Sequence, residues 1–285
     1  MKTIKQVLMI SLIISCFFIY PAVVQGEREP RRLNEINVSD ENQILAPAQY
    51  KIPVNGAQIK KIVIQDLLAE IKIVGSQNND IIIDARGLKE IPKRAKGLTY
   101  VNGCMDNTGT GVAANESEGV LTICGASKGS DDATYIFTVP KGVSLSIEYN
   151  SPFAKEDIEI KNMEAEVEVS TLSTNINCSN VTGPLVLNSI SGNIDINVSR
   201  LNQNSPTSIS LISGDLDITL PATSNANLKM NSISGGVYTD FDIKVDYKKG
   251  NLKRIGNNNI ETKLNGGGVD LSLISTSGNV YLRKK

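Results

Sequence analysis

The sequence predicts an all-β chain wound into a strand-rich solenoid, and three observations carry that expectation. A short phrase returns in Thr171–Ile176, Ser189–Ile194, Leu211–Leu216, Ser232–Val237 and Ser275–Val280. Its spacing, marked at Thr174, Gly192, Gly214, Gly235 and Gly278, is 18, 22, 21 and 43 residues, the last about two periods and so expected to span two coils. A recurrence near 20 residues is too short for stacked helical pairs and fits one coil of a β-strand repeat. No long segment with helical periodicity follows residue 26, and the stretches between turn signals alternate apolar and polar.

The alternation keeps its register from copy to copy. Two places after the mark stand Ile176, Ile194, Leu216, Val237 and Val280, and four places after it Cys178, Ile196, Ile218, Thr239 and Leu282. Five places before it stand Val169, Leu187, Ile209, Met230 and Leu273. Stacked at about 4.8 Å, such residues form inward ladders, and a one-residue slip would turn every ladder outward. The place before the mark is serine in every copy: Ser173, Ser191, Ser213, Ser234 and Ser277. A serine hydroxyl can bond turn backbone and glycine admits positive φ, so Ser191-Gly192, Ser213-Gly214, Ser234-Gly235 and Ser277-Gly278 are expected to be structural corners. A row of nucleophilic serines is the poorer reading, because the chain has no histidine to activate one.

Taken in order, residues 1–26 have the form of an export signal. Lys2 and Lys5 precede the apolar run Val7–Val24, and Val24-Gln25-Gly26 offers a small-residue cleavage site. That run is also long enough for an uncleaved anchor helix, and Ile13-Ile14-Ser15-Cys16 resembles a lipoprotein box whose apolar run continues past the cysteine. Export to the periplasm, the outer surface or the medium follows in each case. Cleavage removes two of the 29 basic residues, leaving 27 against 30 acidic ones, net −3. With no basic face, nucleic acid is not an expected partner, and membrane contact is expected only through an uncleaved signal or a lipid.

Residues 27–52, with Pro30 and Pro47, are expected to form a flexible tether, and residues 53–285 one solenoid domain. Strands are expected at Lys61–Ile64, Ala69–Val74 and Asp80–Ala85. The Gly-, Asn- and Ser-rich stretch 97–132 is expected to be an irregular insertion. Further strands follow at Thr134–Val139, Val143–Tyr149, Asp157–Ile160 and Glu164–Val169. Between Gly235 and Gly278 the phrase lapses, with Gly256 midway and Gly266-Gly267-Gly268 turning the chain into the last strand pair. Leu282-Arg283-Lys284-Lys285 then ends the stack, its three cations guarding an open edge.

Three cysteines follow the signal. Cys178 falls on an inward rung, which leaves Cys104 and Cys124 as a disulfide candidate closing a loop of about 20 residues. Metal binding is disfavoured: histidine is absent, and Asp215, Asp217, Asp240 and Asp242 do not have the spacing of a dense acidic calcium loop. No cofactor is expected.

These residues resemble the bacterial "putative adhesin" domains of unknown function. The resemblance lies in Ile71–Gly75 with Asp80–Ile83, in Tyr135–Pro140, in the four Ser-Gly corners and in the ending Gly278–Lys284. It implies a right-handed parallel β-solenoid in the cell envelope, and it brings no catalytic residues. The expected function is a non-catalytic structural or binding module of the envelope or surface, its partner an envelope protein or surface polysaccharide. The outward residues Asp195, Asp217, Tyr238 and Tyr281 form its contact face. The alternative is a carbohydrate-active enzyme using Asp195 and Asp217, which on adjacent coils would stand about 5 Å apart.

Overall fold

The computed structural model describes residues 44–52, 59–98, 101, 103–126, 128–152, 156–244 and 259–285. The expected signal segment, Cys16, Gly256 and most of the expected tether lie outside the described residues.

Strands dominate the chain. In order they are β1 (Ala48–Ile52), β2 (Lys61–Gln65), β3 (Glu70–Ser76), β4 (Ile81–Arg86), β5 (Val112–Ser117), β6 (Val120–Gly125), β7 (Thr134–Pro140) and β8 (Ser144–Tyr149). There follow β9 (Ile158–Lys161), β10 (Val167–Ser173), β11 (Ile176–Val181), β12 (Leu185–Ser191), β13 (Ile194–Val198), β14 (Thr207–Ser213) and β15 (Leu216–Leu220). The last are β16 (Ala226–Ser234), β17 (Val237–Thr239), β18 (Ile260–Leu264), β19 (Val269–Ser277) and β20 (Val280–Lys284).

These strands make two ten-stranded sheets. Sheet 1 runs β1-β4-β7-β3-β9-β11-β13-β15-β20-β17, and sheet 2 runs β18-β16-β19-β14-β12-β10-β8-β2-β6-β5. Successive strands such as β10, β11, β12 and β13 alternate between the two sheets. One coil therefore lays one strand in each, and neighbouring coils pair in parallel. Antiparallel strands occur at the stack ends: β1 and β4 in sheet 1, β5 and β18 in sheet 2.

The core lies between the sheets and follows the alternation. Ile176, Ile194, Leu216 and Val280 stand in register and are buried, as are Val169, Leu187, Ile209, Leu273 and Met230. Each such side chain contributes roughly 1.5–3 kcal/mol before chain entropy is subtracted. Val237 and Thr239 are only half-buried because β17 is the outermost strand of sheet 1.

The corners depend on glycine more than on serine. Gly192, Gly214 and Gly278 have positive φ of 111°, 123° and 137°. A Cβ on Gly214 would lie 2.1 Å from the Gly192 carbonyl oxygen, and one on Gly235 would lie 2.1 Å from that of Gly278. Thr174 begins this ladder, where its hydroxyl donates to the Glu156 carbonyl. The serines before the glycines face solvent in β12, β14, β16 and β19, contrary to the expected hydroxyl bonding. They stand at the strand ends, past the last buried rung, and in two copies a buried serine two residues upstream fastens the corner instead. Ser189 Oγ donates to the Ser191 carbonyl at 2.9 Å, and Ser232 Oγ to the Gly278 carbonyl at 2.8 Å.

Four further expectations are corrected. First, the 43-residue spacing is not two stacked coils. Ser234 pairs with Ser277, and the β19–β20 coil lies between β14–β15 and β16–β17. Second, Arg283 and Lys284 therefore do not guard an open edge, since β20 has β15 on one side and β17 on the other. Third, Ala48–Ile52, the end of the expected tether, pairs with β4, because alternate residues there meet the sheet edge. Fourth, the 97–132 stretch holds a regular hairpin, β5–β6, turned by Glu118 and Gly119 at φ 54° and 81°. The Gly- and Asn-rich composition concealed the alternation of Val120, Leu121, Thr122 and Ile123. Residues 241–244 are irregular, although Phe241 is buried.

Candidate functional site

The outward residues of sheet 1 form the surface with the most chemistry. Parallel register aligns Glu159, Asn177, Asp195, Asp217, Tyr281 and Tyr238 across six strands from β9 to β17. Beside this row runs a second, Lys161, Ser179, Asn197, Thr219 and Arg283. Apart from Tyr281 and Tyr238, which stand beyond Arg283, these residues floor an open trough of about 530 Å³. The alternation explains why polar groups gather here: every second residue of an inward-packed strand must point to water.

At the far end of the trough, Tyr238 and Tyr281 stack with ring centroids 5.3 Å apart and planes inclined by 17°. The Arg283 guanidinium stands 5.3 Å from the Tyr281 ring centroid, within cation–π range. Arg283 Nε donates to both carboxylate oxygens of Asp217 at 2.8 Å, and Nη2 stands 2.7 Å from Oδ2. One cation thus joins the aromatic pair to the acid row. Arg283 is the site residue that sequence reasoning missed, having been assigned to edge protection. Its place two residues after Tyr281 on a strand was the available signal.

Asp195 and Asp217 are register neighbours, as expected from the spacing. They are not equivalent. Burial holds the Asp195 carboxyl above the usual aspartate range, with Asp217 and Asp215 adding to the effect and Arg283 opposing it.

Two of the remaining acidic candidates, Asp215 and Asp240, serve the turns or the chain end. Asn175 Oδ1 accepts the Asn193 N–H, Asn193 Oδ1 the Asp215 N–H, Asp215 Oδ1 the Asn279 N–H, and Asn279 Oδ1 the Gly236 N–H, at 2.7–3.0 Å. The residue after each glycine therefore bolts one coil to the next, and Asp215 belongs to that ladder. Asp240 Oδ1 accepts the Lys284 N–H at 2.8 Å. Among the described residues no group of three or more His, Cys, Asp or Glu side chains is placed to hold a metal ion. Cys104 and Cys124 are joined in a disulfide with Cα atoms 6.1 Å apart. Cys178 is buried, and that burial pushes its thiol up to about 12.

This ordered ladder of Ser-Gly corners, inward aliphatics and outward polar rows agrees with one family model, described as Toastrack DUF4097, over residues 153–283. Over those residues the chain is similar to the Toastrack DUF4097 family. The Toastrack match spans β9 to β20, leaving out only the last residue of that strand, and takes in every residue of the trough. Three solved structures are similar to the chain, each over 84% of its length. A "putative cell adhesion protein" from Clostridium sporogenes is 12% identical, is covered over 100% of its own length and has a TM-score of 0.45. A "putative adhesin" from Bacteroides fragilis is 11% identical, with 97% of its chain covered and a TM-score of 0.33. Another from Parabacteroides merdae is 11% identical, with 96% covered and a TM-score of 0.26. No curated protein matches the chain.

Proposed function

We propose that this protein is a non-catalytic binding module of the cell envelope or surface, a right-handed β-solenoid whose sheet 1 trough contacts a surface polysaccharide or an envelope protein. The observation that carries this reading is the Tyr238–Tyr281 stack joined through Arg283 to Asp217, at the end of a flat acid and amide row. Aromatic rings with Arg beside them combine apolar contact area with directed hydrogen bonding, the composition of binding hot spots. An open trough suits an extended polymer or a protein surface better than an enclosed small molecule. Export is supported by the signal-like residues 1–26 and by the disulfide, a bond of oxidising compartments.

The test is binding of purified protein to cell-wall polysaccharide and to envelope extract, with a Tyr238→Ala, Tyr281→Ala double variant. Loss of about tenfold or more in affinity is expected at unchanged melting temperature. Unchanged binding would remove the trough as the contact face.

A second reading, a glycan-cleaving enzyme using Asp195 and Asp217, has one observation in its favour: the two are register neighbours and Asp195 keeps its proton to higher pH. Against it, Asp217 is held through both oxygens by Arg283, so it is poorly placed to act as a free nucleophile. Turnover of any polysaccharide in a broad panel, abolished by Asp195→Asn, would establish it.

A further inference from the structure

A different surface, away from the trough, combines exposed apolar side chains with positive charge. Between β4 and β5 the chain leaves the stack, and its described residues there include Ile91, Leu98, Val101 and Met105, exposed by 60%, 74%, 86% and 75%. Ile44 joins them through an antiparallel bridge to Lys89, and the Leu45 N–H donates to the Leu88 carbonyl. Both are also exposed. Six of the eleven large apolar side chains exposed among the described residues therefore belong to this one region. Single exposed apolar residues need no explanation, whereas a concentration of them marks a contact surface.

The charges point to the kind of contact. Residues 88–105 hold Lys93, Arg94 and Lys96 against Glu90, with Lys89 paired to Asp132, in a chain of net −1. Lys93, Arg94 and Lys96 are exposed. Both feet of the segment are fixed. Leu88 is buried and the Lys89 N–H donates to the Gly129 carbonyl, while Cys104 is bonded to Cys124 and its N–H donates to the Gly125 carbonyl. The apolar and basic residues are thus presented from an anchored base on the stack.

We propose that this segment docks on an anionic phospholipid bilayer, with Ile91, Leu98, Val101 and Met105 entering the headgroup region and Lys93, Arg94 and Lys96 facing the lipid phosphates. Apolar insertion together with cations is the combination that holds proteins at a bilayer surface, since either alone binds weakly. A soluble polyanion would use the cations and gain nothing from the exposed aliphatics.

The experiment is co-sedimentation of the full-length protein with vesicles of phosphatidylcholine alone and with vesicles one-third phosphatidylglycerol. The wild type is expected to partition about tenfold more strongly onto the anionic vesicles at physiological salt. The triple variant K93Q/R94Q/K96Q should lose that preference, and I91S/L98S should bind both vesicle types about tenfold less. Both variants should keep the disulfide and the melting temperature. The N-terminal apolar run is common to all three proteins, so differences between them report on this segment alone. No preference of the wild type for anionic vesicles, or wild-type binding by the triple variant, would overturn the proposal. Full binding by I91S/L98S would overturn the bilayer assignment in favour of a soluble polyanion.

Discussion

The carbonyl oxygen of Gly214 occupies the space in which a side chain on Gly278 would begin, 1.9 Å from an ideal Cβ. The two residues are 64 positions apart in sequence and face each other across adjacent coils. Gly278→Ala should therefore act twice, through that collision and through a φ of 137° that L-residues avoid. A loss of about 2–4 kcal/mol is expected by urea denaturation. Gly142→Ala, where nothing lies within 4 Å, should stay within about 0.5 kcal/mol of wild type. Equal effects at the two positions would show that the corners do not stack as described.

Ile190 and Ile194 belong to the same phrase and point to opposite sides. Ile194 is fully buried, while Ile190 is 47% exposed on the outer side of sheet 2. Ile194→Ala should cost about 2–5 kcal/mol, and Ile190→Ala much less, about 0.5 kcal/mol. Denaturant midpoints of the two variants measure the register directly.

Asp195 and Asp217 should respond differently to removal of their charge. The folded state holds the Asp195 proton to higher pH than the unfolded chain does, so this group's contribution falls as pH rises above the ordinary aspartate value. Asp195→Asn should therefore match or exceed wild-type stability at pH 7, with the advantage vanishing below about pH 4, where both states are protonated. Asp217→Asn should lower the melting temperature at pH 7, because Arg283 loses the carboxylate that accepts its hydrogen bonds. Thermal melts across pH 3–8 (on the order of half-unit steps) would separate the two.

The bond between Cys104 and Cys124 closes a loop across a sequence separation of 20. Replacing both with serine should lower stability by about 3 kcal/mol, chiefly by freeing the unfolded chain. Mass spectrometry with and without reductant should show a difference of two protons for this pair, with Cys178 unreactive until the protein unfolds, because it is buried.

The chain end is an interior coil. A protein ending at Asn279 loses Val280 and Leu282, both fully buried, and leaves β15 and β17 without the strand between them. A loss of about 3–6 kcal/mol is expected from those two side chains alone. Replacing Arg283, Lys284 and Lys285 with threonine exposes no new strand edge, so light scattering should match the wild type; increased self-association would mean that β20 does border solvent.

How much of this was legible in the sequence varies by level. The inward rungs, the outward row of Asp195, Asp217, Tyr238 and Tyr281, and the turn positions all follow from a period of two kept in register across copies. Arg283 was visible as a residue, yet its attachment to Asp217 was not, since 66 positions separate them. The β5–β6 hairpin was hidden by a composition typical of loops.

What the sequence determined by itself was which side chains enter the core, because in an extended strand neighbouring residues must face opposite ways. Only the tertiary structure decided which coil lies on which. Rungs built from near-identical Ser-Gly phrases stack equally well on several neighbours, so local pattern does not distinguish them. The choice of β15 and β17 as the neighbours of β20 depends on contacts between residues tens of positions apart. That choice brings Arg283 to Asp217 and Tyr281 to Tyr238, and so creates the candidate site.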